Sequence, residues 1–168
     1  VNSSGIYKSL NCGIGSKDKK QIVEKNLCVV AKKLDVKREK LVLMNQTHSN
    51  RVLILNNENE KLRVNADAIL TEKVDLALGV LTADCAPILI YEIKKEIIGC
   101  IHAGWKGAIG GIIENTIDKV IKMGGNPKSI VAAVGPCISQ KSYNVKKDFY
   151  LEFKEKIKNG ESADEILP

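Results

Sequence analysis

Residues 82–107 read TADCAPILIYEIKKEIIGCIHAGWKG, and the fold turns on how this stretch doubles back on itself. Residues 86–92 and 96–103 are β-branched and apolar, with polar Lys94 and Lys95 between them, which predicts two strands joined by a tight turn. A two-residue loop sets Pro87 opposite His102 and Cys85 opposite Gly104; a three-residue loop shifts the register by one. In either register Cys85 and His102 sit at the same open end of neighbouring strands, which run roughly 5 Å apart. A thiol and an imidazole brought together where a sheet stops form a candidate site.

Cysteine is among the most buried residue types, and a lone histidine is more often structural than functional. Two features weigh against that reading here. The chain has only two histidines, His48 and His102. His48 lies in MNQTHSN, a polar break between two apolar runs, where a core histidine is not expected.

Working outward, residues 76–81 form an apolar strand that delivers the chain to Cys85. After the hairpin, residues 104–107 turn it into a helix whose broad buried face takes Ile109, Ile112, Ile113, Thr116, Ile117, Val120 and Ile121, and which Gly124 and Gly125 end. Residues 129–134 read as the next strand, and a last helix carries Phe149, Phe153 and Ile157 at four-residue intervals, followed by a polar tail over 159–168. Toward the N-terminus, residues 41–44 and 52–55 are short strands flanking the His48 loop, 56–65 is a polar connection, and 65–71 leads into another strand. A helix starting near Asp18 buries Val23, Leu27, Val30 and Leu34 as one stripe. Ahead of it, residues 4–15 are polar and turn-rich, anchored by Tyr7 and Leu10. Strands and helices mixed at this density predict a single α/β or α+β domain.

At 168 residues the chain is long enough for one domain with a sizeable core. No apolar run is long enough to span a bilayer and no charged-then-apolar leader opens the chain, so a cytoplasmic protein without a membrane partner is expected. Five cysteines without C-x-x-C spacing point to a reducing compartment rather than a disulfide framework. The net charge of +6 comes from dispersed lysines, and with aromatics at 4% and no basic cluster, a nucleic-acid partner is not expected.

His48, Cys85 and His102 make a nitrogen, sulfur, nitrogen set from three separate segments. Three protein ligands with a fourth position open is the pattern of a catalytic zinc, which brings its bound water's pKa to about 7. Asp84, directly before Cys85, and Asp67, in NADAILT, are candidate catalytic carboxylates, as a base or as the group that orients a ligand histidine. Each reads equally as a turn or cap aspartate. Gly104 and Lys106 lie where backbone N–H groups at a helix start suit an anion such as phosphate, or where glycines simply serve a turn.

Four segments taken together, QTHS (46–49), TADCAP (82–87), HAGWKG (102–107) and GPCISQKSYNV (135–145), resemble the ordered signatures of the YfiH-like family, also called the multicopper polyphenol oxidoreductase or laccase-domain family. The resemblance implies a four-layer α/β/β/α sandwich with mixed sheets and a zinc site, with His48, Cys85 and His102 as the ligands. It implies purine nucleoside chemistry: phosphorolysis of adenosine, inosine and methylthioadenosine to the base and a ribose 1-phosphate, with adenosine deaminase activity besides. Purine nucleosides and phosphate are then the partners, and Gln46 joins Gly104 and Lys106 among the substrate-binding residues. A bacterial member is described as a peptidoglycan editing factor acting on a muropeptide precursor.

The chain departs from the family pattern in several places. Ser49 stands where the family usually has Gly, and Lys106 where it usually has Arg, a point charge instead of a bidentate fork. Residues 141–145, KSYNV, replace CCYEV, and the family's C-terminal arginine-rich motif has no counterpart before Pro168. The expectation is one domain over 1–168 that lacks the family's extreme N-terminus and C-terminal segment.

The leading reading is a zinc-dependent purine nucleoside phosphorylase and adenosine deaminase, with copper as an alternative metal. The second is a metal-free cysteine hydrolase acting on a muropeptide precursor, with Cys85 as nucleophile and His102 or His48 as base. A true multicopper oxidase needs many imidazoles, which two histidines do not supply.

Overall fold

The computed structural model describes residues 1–56 and 64–157. In chain order its main elements are helix α1 (Lys20–Lys33), strands β1 (Leu41–Leu43), β2 (Val52–Ile54), β3 (Ala68–Thr71), β4 (Ala77–Gly79), β5 (Ala86–Glu92) and β6 (Ile97–Ala103), helices α2 (Trp105–Ile109) and α3 (Ile112–Lys122), strand β7 (Ile130–Val134) and helix α4 (Lys147–Lys156). A five-stranded mixed sheet runs β2-β3-β6-β5-β7, and β1 pairs with β4 in a separate two-stranded ribbon. The β2–β3 and β1–β4 pairs are parallel; the other pairings in the larger sheet are antiparallel. This is the expected mixed α/β domain.

The hairpin takes the two-residue register, with Pro87 opposite His102 and Ala86 opposite Ala103. Its ladder stops at Glu92 and Ile97, so residues 93–96 form the turn, and Glu96 is left-handed at φ 54°. Glu92, at the end of the ladder, is fully buried, and its Oε2 accepts the Lys95 N–H of the turn at 2.7 Å. Burial pushes the Glu92 carboxyl up, but hydrogen bonds led by the Lys95 N–H and the Ser129 side chain hold it below the usual carboxylate range.

Core packs on both faces of β3, whose four residues are all buried. One cluster joins Ala68, Leu70, Ile90, Ile97 and Ile101 to Ile112 and Val120 of α3. The other joins Ile69 and Cys100 to Met44, Leu55, Ala66 and Leu76. The even and odd residues of β3 and β6 divide between the clusters, as strand alternation requires.

Several local expectations need correction. The helix after the hairpin is not continuous: it breaks at Gly110 and Gly111, where Gly111 is left-handed at φ 81°. Its buried stripe is narrower than expected, with Ile112, Thr116 and Val120 inside and Ile113 and Ile121 exposed. Positions four apart stack on one face, and a residue one further on swings about 100° away from it. Helix α1 ends at Lys33, so Leu34 is its exposed C-cap and Ala31 completes the stripe instead. Leu10 does not anchor the N-terminal segment, being exposed. Buried Asn26 of α1 does so, accepting from the Asn2 N–H at 2.9 Å and donating to Ser3 Oγ and the Asn11 carbonyl, both at 2.9 Å. Strand β7 forms at the sheet edge, with Val131 and Val134 exposed. Most of the polar connection over 56–65, and the tail from 159 on, lie outside the described residues.

Candidate metal centre

Three segments reach the open end of the β5–β6 hairpin. Cys85 immediately precedes β5, His102 is the penultimate residue of β6, and the loop after β1 brings His48 across. One ligand atom from each of His48, Cys85 and His102 lies within 4.8 Å of the other two. Cys85 Sγ is 3.8 Å from His48 Nε2, and the two imidazole rings meet edge-on with centroids 4.7 Å apart. His102 is buried, Cys85 half-buried and His48 exposed, so the cluster opens to solvent on one side. Two imidazole nitrogens and a thiolate with an open side suit zinc, and equally a soft copper ion.

Gly104 supplies the room. A Cβ there would lie 2.8 Å from His48 Cδ2 and 3.1 Å from Cys85 Sγ. Its φ of −74° is open to any residue, so the requirement for glycine is steric. Burial, then the Asp84 and Asp67 carboxylates, push the Cys85 thiol up. This negative surrounding favours a cation beside the sulfur over a free thiolate.

Asp67 is fully buried between the two histidine-bearing segments. Its Oδ1 lies 2.8 Å from His102 Nδ1 and accepts the His48 N–H at 3.0 Å. Its Oδ2 accepts the Ser49 N–H and the Ser49 hydroxyl, each at 2.7 Å. Ser49 thus adds a donor that a glycine at this position lacks. Burial pushes the Asp67 carboxyl up, but hydrogen bonds from His102, Ser49 and Thr47 outweigh it and hold it below the usual range. Asp84 differs: its side chain is exposed, and its carbonyl takes the Ile138 N–H at 3.0 Å.

A cleft of about 520 Å³ opens beside the cluster, lined by His48, Cys85, His102, Asp84 and Gln46 together with Gly13, Gly15 and Leu81. Both ends of the Gln46 amide clasp Leu81: Nε2 donates to its carbonyl at 2.6 Å and Oε1 accepts its N–H at 2.9 Å. Lys106 points to α4, with Nζ 2.8 Å from Glu152 Oε1 and 5.1 Å from the Trp105 ring centre. Helix α2 is only five residues long, which leaves little dipole to attract an anion at Gly104. Cys100 shares the His102 face of β6 but is wholly buried, and burial pushes its thiol up to about 12.

Sequence reasoning missed the lining role of Gly13 and Gly15, which read only as turn residues. It also left Tyr143 without a role. Burial, then Cys85 and Asp84, push the Tyr143 phenol up. Its ring packs edge-on against Phe149 at 5.9 Å, and Phe149 lies 4.5 Å from Trp105. The signal was the YNV remnant of the fourth motif.

The family profile described as "Multi-copper polyphenol oxidoreductase laccase" matches residues 2–166. The chain is 33% identical over 162 residues to a Rickettsia conorii protein named purine nucleoside phosphorylase, covering 91% of this chain and 66% of that one. It is 30% identical over 163 residues to a protein from an unknown prokaryotic organism named adenosine deaminase, covering 92% of this chain and 62% of that one. Among solved structures, the Bacillus licheniformis hypothetical protein YfiH superposes with a TM-score of 0.82 at 29% identity, over 94% of this chain and 61% of that one. The chain spans less than two thirds of the length of these relatives.

Proposed function

This chain belongs to the multi-copper polyphenol oxidoreductase laccase family, and on that footing we propose that it is a zinc-dependent purine nucleoside enzyme. It splits adenosine, inosine and methylthioadenosine with phosphate, and it deaminates adenosine. The observation that carries this reading is the convergence of His48, Cys85 and His102 within 4.8 Å at the mouth of a cleft. At about 520 Å³ the cleft falls in the size range of small-molecule sites. The names of the relatives supply the substrate class.

His48, Cys85 and His102 would hold the metal, with copper as the alternative. When bound, zinc supplies a Lewis acid and brings water's pKa to about 7. Asp84, exposed on the cleft wall, is the carboxylate that relays protons: in deamination it takes one from the attacking water and hands it to the departing amine, and in phosphorolysis it takes one from the incoming hydrogen phosphate and hands it to the departing purine. Gln46 holds the strand exit at Leu81 and so shapes the wall. Lys106 receives phosphate by exchanging its Glu152 partner for the incoming anion. The finer structural readings belong with this one: a four-layer α/β/β/α sandwich supported by core on both sheet faces, a single domain over 1–168, and a cytoplasmic setting supported by five free cysteines. No helix among the described residues is long and apolar enough to cross a membrane.

A metal analysis of the purified protein, paired with a screen of nucleosides with and without phosphate, tests the proposal. Zinc at one equivalent with phosphate-dependent release of purine base is the expected result; turnover that survives complete removal of metal overturns it. The 3.8 Å contact between Cys85 and His48 favours one second reading, the metal-free cysteine hydrolase acting on a muropeptide precursor. The upward push on the Cys85 thiol counts against it. Thiol alkylation that abolishes activity in metal-free protein would decide for the hydrolase.

A further inference from the structure

We propose that Asp67 is a positioning residue, one buried carboxylate that sets both imidazoles of the metal centre, rather than a group that exchanges protons with substrate. The inference rests on the metal-site reading and assigns that site its organiser. Asp67 is wholly buried. A carboxylate has about four lone-pair directions. Those of Asp67 are taken by His102 Nδ1, the His48 N–H, the Ser49 N–H and the Ser49 hydroxyl, with the Thr47 N–H sharing both oxygens at 3.2 Å. No acceptor site is left for a substrate proton.

The two oxygens do separate jobs. Oδ1 accepts only, so the His102 nitrogen 2.8 Å away must carry the hydrogen, which leaves Nε2 bare and facing the cluster. The main-chain N–H of His102 is tied to the same residue, donating to the Asp67 carbonyl at 2.7 Å. Across the site, His48 has left-handed backbone at φ 57°, a conformation unfavourable for a residue with a Cβ. Three consecutive N–H groups, from Thr47, His48 and Ser49, converge on Asp67 and hold that turn in place. The Ser49 hydroxyl closes the set, so the loop presenting His48 and the strand presenting His102 share one anchor.

The test combines ¹⁵N NMR of the histidine rings in metal-free protein with zinc affinity measured by competition against a chelating dye. In the wild type, His102 should show the Nδ1–H tautomer with Nε2 unprotonated. In Asp67→Asn the amide N–H₂ faces donors on one side, so the tautomers should mix and the zinc Kd should rise about ten- to a hundredfold. Ser49→Ala removes one donor and should raise the Kd by roughly two- to tenfold, with the tautomer retained. An Nε2–H tautomer in the wild type overturns the proposal, as does folded Asp67→Asn with wild-type zinc affinity. Should Asp67→Asn fail to fold, the wild-type tautomer and Ser49→Ala decide, and an unchanged Kd in Ser49→Ala overturns it. A wild type that binds no zinc defeats the metal-site reading, while the tautomer still reports on Asp67.

Discussion

At the scale of single residues, the candidate ligands were legible and their supports were not. Two histidines in a chain of 168 drew attention to themselves, and strand register brought one of them to Cys85. Asp67 was visible as a carboxylate in a plausible motif, but its bonds span 18 to 35 residues of sequence, which spacing does not encode. Asn26 was hidden for the same reason: a polar residue on a helix reads as exposed until the segment that covers it is known. Gly104 read as a turn or anion-binding glycine, whereas the structure gives it a steric duty. Gly104→Ala should therefore leave the fold intact and displace His48 or Cys85. Overpacking costs about 1–3 kcal/mol, which corresponds to a roughly 5- to 150-fold rise in zinc Kd. The chelator competition reads this directly, and an unchanged Kd would show that the close contacts at 2.8 and 3.1 Å are relieved without moving the ligands.

At the scale of elements, the hairpin was the most legible part because alternation, turn and register all agreed. Its turn was less so, since the buried Glu92 that shapes it sits in an otherwise apolar strand. The break between α2 and α3 was missed because an apolar pattern at helical spacing runs straight through it. Two adjacent glycines at 110 and 111 were the available signal. A Cβ on Gly111 meets nothing closer than Glu114 Oε2 at 3.6 Å, so space is not the constraint; the left-handed φ of 81° is. Gly111→Ala should destabilise the protein by about 1–2 kcal/mol. For a chain of this size that lowers Tm by roughly 2–8 °C, measurable by calorimetry. A gain in stability would mean the two helices join when the glycine is replaced.

At the scale of the whole molecule, stability is tied to charge and to whatever ion the His48, Cys85 and His102 cluster binds. Asp67 and Asp18 both have carboxyls below their ordinary range, Asp67 because hydrogen bonds outweigh its burial and Asp18 first through the Ser3 hydroxyl. A depressed folded-state pKa adds stability above the unfolded value of about 3.9, and that stability is lost as pH falls through the lower folded values. Tm should therefore hold steady from pH 7 to about 5 and decline below about pH 4, with a shallower decline in Asp67→Asn. A metal ion held by the cluster would act on the same region, since Asp67 bonds to both histidine segments. The three candidate ligands come from the loop after β1, the residue before β5 and the end of β6, so one ion held there would cross-link segments that sequence separates by up to 54 residues, from His48 to His102. Binding the folded state alone at a free zinc level of 100 Kd adds about 2.7 kcal/mol, a Tm rise of roughly 5–11 °C. Chelation should reverse the shift, and His48→Ala should abolish it because two donors no longer close the site. Hydrogen exchange locates the effect: added zinc should slow exchange over 46–49 and 82–85, at the open end of the hairpin. The turn at 93–96, at the opposite end of β5 and β6, should change little. Equal protection at both ends would mean that zinc acts through global stability alone, and the local cross-link would be wrong.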